Sequence, residues 1–231
     1  MENNFDLNNE TSNRSAQTQQ RIGDSLSAQS QQIADKFRAR ATQAKREFAA
    51  SNAGTQLSLY QKQDIEKQTA FDIAKGLNLW IENFYSLGNS FNSGHENTVA
   101  LNESEVVVYK SNNLMNVLGM VSNLFDLVEA HNLLFPETAY EIVGFTGFEN
   151  RNRAPYIEVI LKQPFVDNAE HASYEDIATY MRDSGFTQIN NHTFENEQYI
   201  VSDLHPRNVL KNDDGVIFVI DNKIEKKQSA P

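Results

Sequence analysis

The sequence predicts an α+β fold, and three observations carry that prediction. Apolar residues recur with a helical period up to about residue 84. Beyond that point short runs rich in Val, Ile and Tyr alternate with polar turns. No cysteine occurs in the 231 residues, so no disulfide, zinc–thiolate site, iron–sulfur cluster or thiol nucleophile can organise the chain. The formal charge is −11, which disfavours direct nucleic-acid binding. No apolar run approaches the roughly 20 residues needed to cross a bilayer, and the N-terminus lacks an apolar leader core. A soluble, cytoplasmic protein is expected.

Residues 1–16 are rich in Asn, Ser and Gln and read as a disordered tail. Residues 17–50 read as an amphipathic helical extension. Ile22, Ile33 and Ala44 recur every 11 residues, as do Leu26, Phe37 and Phe48, and 11 residues in three turns places all six on one stripe. Such a stripe either packs on its own protein or serves self-association or a partner through residues 17–49. Residues 1–50 carry seven basic and six acidic side chains, so residues 51–231 hold a charge of −12.

After a Gly/Ser/Asn-containing link, a second helix is expected over 61–84, with Ile73, Leu77, Trp80, Ile81 and Phe84 on one side. Strands are expected at 98–101, 105–110, 140–145, 156–162, 199–202 and 216–220. A long helix fits 113–133, with Val117, Val121, Leu124 and Phe125 among its apolar positions and Pro136 stopping the segment. Another fits 174–183, with Ser173 as N-cap and Asp176 as its capping-box partner.

Candidate chemistry concentrates in YIVSDLHPRNVLKNDDGVIFVID, residues 199–221. Asp203 and Asp221 each leave the end of an apolar strand. Asn208 lies on the loop between, and a hairpin is expected at 212–215. Phosphoryl transfer needs such a set: one carboxylate to orient a hydroxyl and take its proton, and a carboxylate with an amide oxygen to hold Mg²⁺. D-x-x-x-x-N alone is a common turn pattern; the flanking strands and the second Asp give it weight. Upstream, EVVVYK ends in Lys110, a strand lysine placed as phosphate-contacting lysines are. Glu129, the one Glu of the next helix, could hold that lysine in an ion pair. Gly88 and Gly94 form a polar turn before the lysine strand, a poor glycine-rich loop. His205, next to Asp203, is a possible helper. The five His show no metal-ligand spacing.

These segments, with FDIAKGLNLWIENFYSLG, YIEVILKQPFV and above all HNLLFPETAYEIVGF, resemble the small serine/threonine/tyrosine kinase-like domain of polyvalent proteins from phages and bacterial mobile elements. The resemblance runs from about residue 61 to 221. It implies a minimal protein-kinase-like fold with a truncated C-terminal lobe over 61–225, with ATP and Mg²⁺ as cofactors. It assigns Asp203 to the catalytic position, Asn208 and Asp221 to the metal, Lys110 and Gly94 to the nucleotide, and Glu129 to Lys110. Lys162 and Gln163 open the hinge against which adenine would stack.

Two departures qualify that picture. Val201-Ser202 replaces the usual His-Arg before the catalytic Asp, and Asn222-Lys223 follows Asp221 in place of Phe-Gly. Ten residues follow Asp221, so no activation segment or helical substrate platform is expected. The sequence therefore points to an ATP-dependent phosphotransferase acting on a hydroxyl of a protein or small molecule. The alternatives are a pseudokinase that holds nucleotide, or a structural, partner-binding protein carried in a phage particle or transferred with a mobile element.

Overall fold

The computed structural model describes residues 26–52, 54–91 and 93–227. The tail at 1–16, the stripe residue Ile22 and the start of the helix expected from 17 lie outside the described residues.

The first helix, α1, runs Ala28–Ser51, opened by Ser27, whose hydroxyl accepts from Ser30 N. Its stripe is turned into its own protein: Ile33 and Phe37 are buried, and Phe37 meets Phe125 edge-on at 5.3 Å. The second helix, α2, runs Leu59–Gly76 behind a capping box made by Ser58 and Gln61. Polar contacts knit these helices to a third, α3 (Val121–Leu134). Glu66 on α2 is fully buried, takes Lys45 of α1 at 2.5 Å, and accepts from the backbone N and hydroxyl of Ser122. A carboxylate there satisfies free N–H groups at the positive end of α3.

The helix expected to reach residue 84 stops at Gly76. Asn78 is left-handed (φ 55), and residues 79–81 instead dock on a strand edge: Ile81 N donates to Phe145 O at 2.8 Å and Phe145 N to Leu79 O at 2.9 Å. The apolar spacing of Leu77, Trp80 and Ile81 imitated a helix where an edge strand's unpaired backbone groups were the stronger partner. The helix expected from 113 begins only at 121. The side-chain oxygens of Asn112 and Asn113 accept from Leu114 N and Met115 N, and Leu114, Leu118 and Gly119 are left-handed. Those local bonds compete with helix initiation.

Five antiparallel strands form the first sheet: β1 (Asn89–Phe91), β2 (Asn97–Asn102), β3 (Val107–Asn112), β4 (Glu141–Phe148) and β5 (Tyr156–Pro164), in the order β1-β2-β3-β5-β4. One face packs on α1, α2 and α3 through Phe71, Ile73, Phe125, Val128, Phe145, Val159 and Leu161. Gly144 lies where residues 79–81 cross β4, and an added Cβ would stand 2.5 Å from Leu79 O.

The second half holds seven short strands and α4. The strands are β6 (Ala169–His171), β7 (Thr187–Asn190), β8 (Thr193–Glu195), β9 (Tyr199–Ser202), β10 (Val209–Asn212), β11 (Ile217–Val219) and β12 (Lys223–Lys226). They form two sheets, ordered β11-β10-β6 and β12-β9-β8-β7. Helix α4 (Tyr174–Asp183) carries the capping box expected of Ser173 and Asp176. Phe135, Ile177, Met181, Phe194, Val201, Leu204, Val209 and Val219 make this core. Among the described residues no helix is long and apolar enough to cross a membrane.

Candidate active site

Two strand ends and one loop bring the candidate chemistry together. Strand β9 delivers Asp203, whose backbone is left-handed at φ 66. A non-glycine residue held there is an uncommon conformation, of the kind found at tight functional turns. The Asp203 carbonyl accepts from His205 N at 3.0 Å and from Asn208 Nδ2 at 2.9 Å. Asn208 closes a 3₁₀ turn, Pro206–Asn208, just before β10. Its backbone carbonyl accepts from Ile220 N at 2.9 Å and from Asp221 N at 3.4 Å, tying the loop to the end of β11. Because Nδ2 is spent on Asp203, the amide oxygen of Asn208 is the free end. Asp221 Oδ1 accepts from Asn222 N at 3.0 Å, and the Asp203 side chain is 43% exposed.

Lys110 reaches this place from β3. Its register partner across the sheet is Leu161, so its side chain takes the helix-covered face. Lys110 is 8% exposed, and its ammonium donates to Ile220 O at 2.7 Å and to the Tyr140 hydroxyl at 3.0 Å. Burial opposes the charge on Lys110, but Tyr140, Asp221 and Glu96 outweigh it, and its pKa stands above the ordinary lysine value. Lys110, Asp203, Asn208 and Asp221 are thus linked through three backbone carbonyls.

The other candidates go elsewhere. Glu129 does not meet Lys110: it pairs with Arg38 of α1 at 2.6 Å, and Arg38 also holds Asp126 at 2.8 Å. The expected partnership fails because a cation from α1 takes the carboxylate. Gly94 lies at the exposed tip between β1 and β2, its N–H donating to Asn97 O at 2.9 Å. Lys162 pairs with Glu141 at 2.8 Å. Gln163 is buried and donates Nε2 to Thr138 O at 2.7 Å. A concavity of about 1040 Å³ lies between the first turns of α1 and the end of β5; Lys162 and Gln163 line it, whereas Lys110, Asp203, Asn208 and Asp221 do not.

Asn208 and Asp221 carry hard oxygen donors, of the kind Mg²⁺ takes. Among the described residues no group of three or more His, Asp or Glu side chains is placed to hold a metal by itself. That donor set fits an ion shared between protein and phosphate oxygens better than an all-protein cage.

This geometry meets a finding from sequence comparison. The profile of the family described as the serine/threonine/tyrosine kinase found in polyvalent proteins matches residues 63–228. The chain belongs to this family. The likeness carried by HNLLFPETAYEIVGF and SDLHPRNVL therefore reflects membership, and the domain is kinase-like. The match begins within α2, although α1 shares the same core. No curated protein matches the chain.

Sequence reading passed over four buried residues: Tyr140, bonded to Lys110; Asn222, which follows Asp221; and His131 and Asn132, which contact Tyr140. One signal was present. His131 and Asn132 fall three and four residues after Val128, on the apolar stripe of α3, where a polar side chain needs a buried partner.

His205 sits beside Asp203, its Nε2 3.3 Å from Oδ1 and 3.4 Å from Asn208 Nδ2. Its buried Nδ1 has no partner among the described residues.

Proposed function

We propose that this domain transfers the γ-phosphate of ATP to a hydroxyl. The observation that carries the reading is the convergence of Asp203, Asn208 and Asp221 on one loop–strand junction, with the Lys110 ammonium bonded to the Ile220 carbonyl beside Asp221. Membership of a kinase family supports it.

In this reading Lys110 binds the nucleotide phosphates as a point charge. Asp203, exposed at the end of β9, accepts a hydrogen bond from the acceptor hydroxyl and orients its oxygen for in-line attack. As the new O–P bond forms, the bond from the γ-phosphorus to the β–γ bridging oxygen breaks. The hydroxyl proton passes to Asp203, and ADP leaves with the bridging oxygen. Asn208, through its amide oxygen, and Asp221, through its carboxylate, would hold Mg²⁺, which neutralises charge on the phosphates when bound. The His205 ring lies against the Asp203 carboxylate and steadies it.

A second reading, nucleotide holding without turnover, draws on one observation: Glu129, the carboxylate that an active kinase would turn toward the lysine, is held by Arg38. Labelled γ-phosphate separates the two. The parent protein with MgATP and a panel of protein and small-molecule hydroxyl acceptors is expected to transfer label, and Asp203→Asn to lose at least a hundred-fold, on the order of the usual general-base contribution. Tight MgATP binding with no transfer to any acceptor, or equal transfer by both proteins, would displace the phosphotransferase reading.

A further inference from the structure

Lys110 has no ion-pair carboxylate on α3, yet its ammonium is held at two points. The Tyr140 hydroxyl donates to Ile220 O at 2.8 Å and accepts from Lys110 Nζ at 3.0 Å, while Lys110 itself donates to the same carbonyl at 2.7 Å. These contacts form a closed triangle at the strand end that presents Asp221.

Tyr140 is in turn held from every side. Asn132 clamps its backbone with both ends of one amide: Nδ2 donates to Tyr140 O at 2.8 Å, and Oδ1 accepts from Tyr140 N at 2.7 Å. The Tyr140 ring lies 4.6 Å from the His131 ring. His131 Nε2 stands 3.0 Å from Thr138 O, which fixes the tautomer with the proton on Nε2. Nδ1 is left to accept from Asn222 Nδ2 at 3.1 Å. Asn222 is the residue after Asp221, and its backbone N–H donates to Asp221 Oδ1. The Asn222 Oδ1 atom is buried and has no partner among the described residues. A fold leaves a buried acceptor unpaired where other demands fix the geometry.

We propose that the Tyr140 hydroxyl, in place of a helix carboxylate, positions the Lys110 ammonium beside Asp221, and that His131, Asn132 and Asn222 hold Tyr140 in register with that strand end. The role of this tether in nucleotide binding rests on the phosphotransferase reading. Its chemistry differs from the usual ion pair. A hydroxyl orients the ammonium without neutralising it, so the positive charge stays available to phosphate oxygens. The segment from His131 to Tyr140 thereby gains a purpose: it carries the last turn of α3, a tight turn and the tethering tyrosine as one unit.

Tyr140 is a positioning residue, and two independent readouts test it in the full chain. The first needs no nucleotide. Acylation of Lys110 by an acetylating reagent is followed by mass spectrometry in the parent, Tyr140→Phe and Glu129→Gln. The second is MgATP affinity of the same three proteins by titration calorimetry. Tyr140→Phe keeps the ring and removes only the hydroxyl. It is expected to raise the Lys110 acylation rate and to weaken MgATP, each by about ten-fold, the size of losing one hydrogen bond to a charged group. Glu129→Gln is expected to change both several-fold less. Larger effects from Glu129→Gln than from Tyr140→Phe would overturn the proposal. Glu129 pairs with Arg38 and not with Lys110, so a change of about ten-fold in either readout for Glu129→Gln against the parent would by itself overturn the proposal, even where Tyr140→Phe does not fold. Acylation that follows the expected order in proteins that fail to bind MgATP would uphold the tether and discard the phosphotransferase reading.

Discussion

Phe37→Ala tests whether α1 is an integral part of the core that covers the first sheet. Phe37 is 0% exposed and meets Phe125, also 0% exposed, edge-on at 5.3 Å with the ring planes at 77°. Truncating a fully buried Phe removes its transfer free energy and leaves a cavity, together about 3–5 kcal/mol. About 0.5–1.5 kcal/mol of that belongs to the edge-to-face pair itself. For a protein of this size each kcal/mol moves the melting temperature by about 2–4 °C, so a fall on the order of 10 °C is expected. Thermal unfolding followed by circular dichroism should show one transition, displaced as a whole. Phe125→Ala and the double variant complete a cycle, in which the two single losses should sum to more than the double loss. The reasoning fails if Phe37→Ala leaves the main transition within about 2 °C of the parent, a shift worth under roughly 1 kcal/mol. It fails equally if α1 melts in a separate earlier step.

The remaining predictions concern titration, the division of roles between Lys110 and Asp203, and one close contact. Burial pushes His131 down to about 4 from 6.5, with the Thr138 and Asn222 hydrogen bonds opposing and the Lys110 charge adding to the shift. A depressed folded pKa means the unfolded chain takes the proton first, so this stability is present above pH 6.5 and is lost as pH falls toward 4. The loss is about 3 kcal/mol over that window, and denaturant titrations of His131→Gln should lack it; matching pH profiles for parent and variant would contradict the assignment. Lys110→Met should weaken MgATP binding itself, whereas Asp203→Asn should spare affinity and lower the transfer rate by on the order of 10²–10⁴-fold. Equal affinity losses in both would remove the division of roles. Gly144→Val should cost more than about 2 kcal/mol, because its Cβ would meet the Leu79 carbonyl at 2.5 Å, and an unchanged melting temperature would show that residues 79–81 do not dock on β4 as described.

Much of this architecture was legible, and where it was not the reasons are local. The stripe of α1 was readable from Ile33 and Phe37, because a helical period survives whatever the helix packs against. What it packs against was not readable, since an apolar face does not name its partner. Strand β9 and helix α4 were readable to the residue, one from a run of Val, Ile and Tyr, the other from its capping box. Strands such as TQIN at β7 and KIEK at β12 were invisible: they are short and mostly exposed, so no alternation marks them. At the site, Asp203, Asn208 and Asp221 could be grouped because strand ends and a hairpin place them in sequence order. The partner of Lys110 could not. Reaching Tyr140 over Glu129 depends on Arg38, a residue of another helix, and on a hydroxyl whose significance lies only in three dimensions. Long-range competition for one carboxylate leaves no mark in the local pattern.

The most direct test of the central claim is a titration of ATP with and without Mg²⁺ on the parent protein and on Asp221→Asn. The parent should bind ATP with Mg²⁺ present and lose on the order of ten-fold or more in affinity when the metal is chelated, because in the proposed reading Asp221 and Asn208 would act on the phosphates through the ion. Asp221→Asn should bind in Mg²⁺ about as weakly as the parent binds without it. Absence of binding up to about millimolar ATP, or an affinity indifferent to both Mg²⁺ and Asp221, would contradict the account.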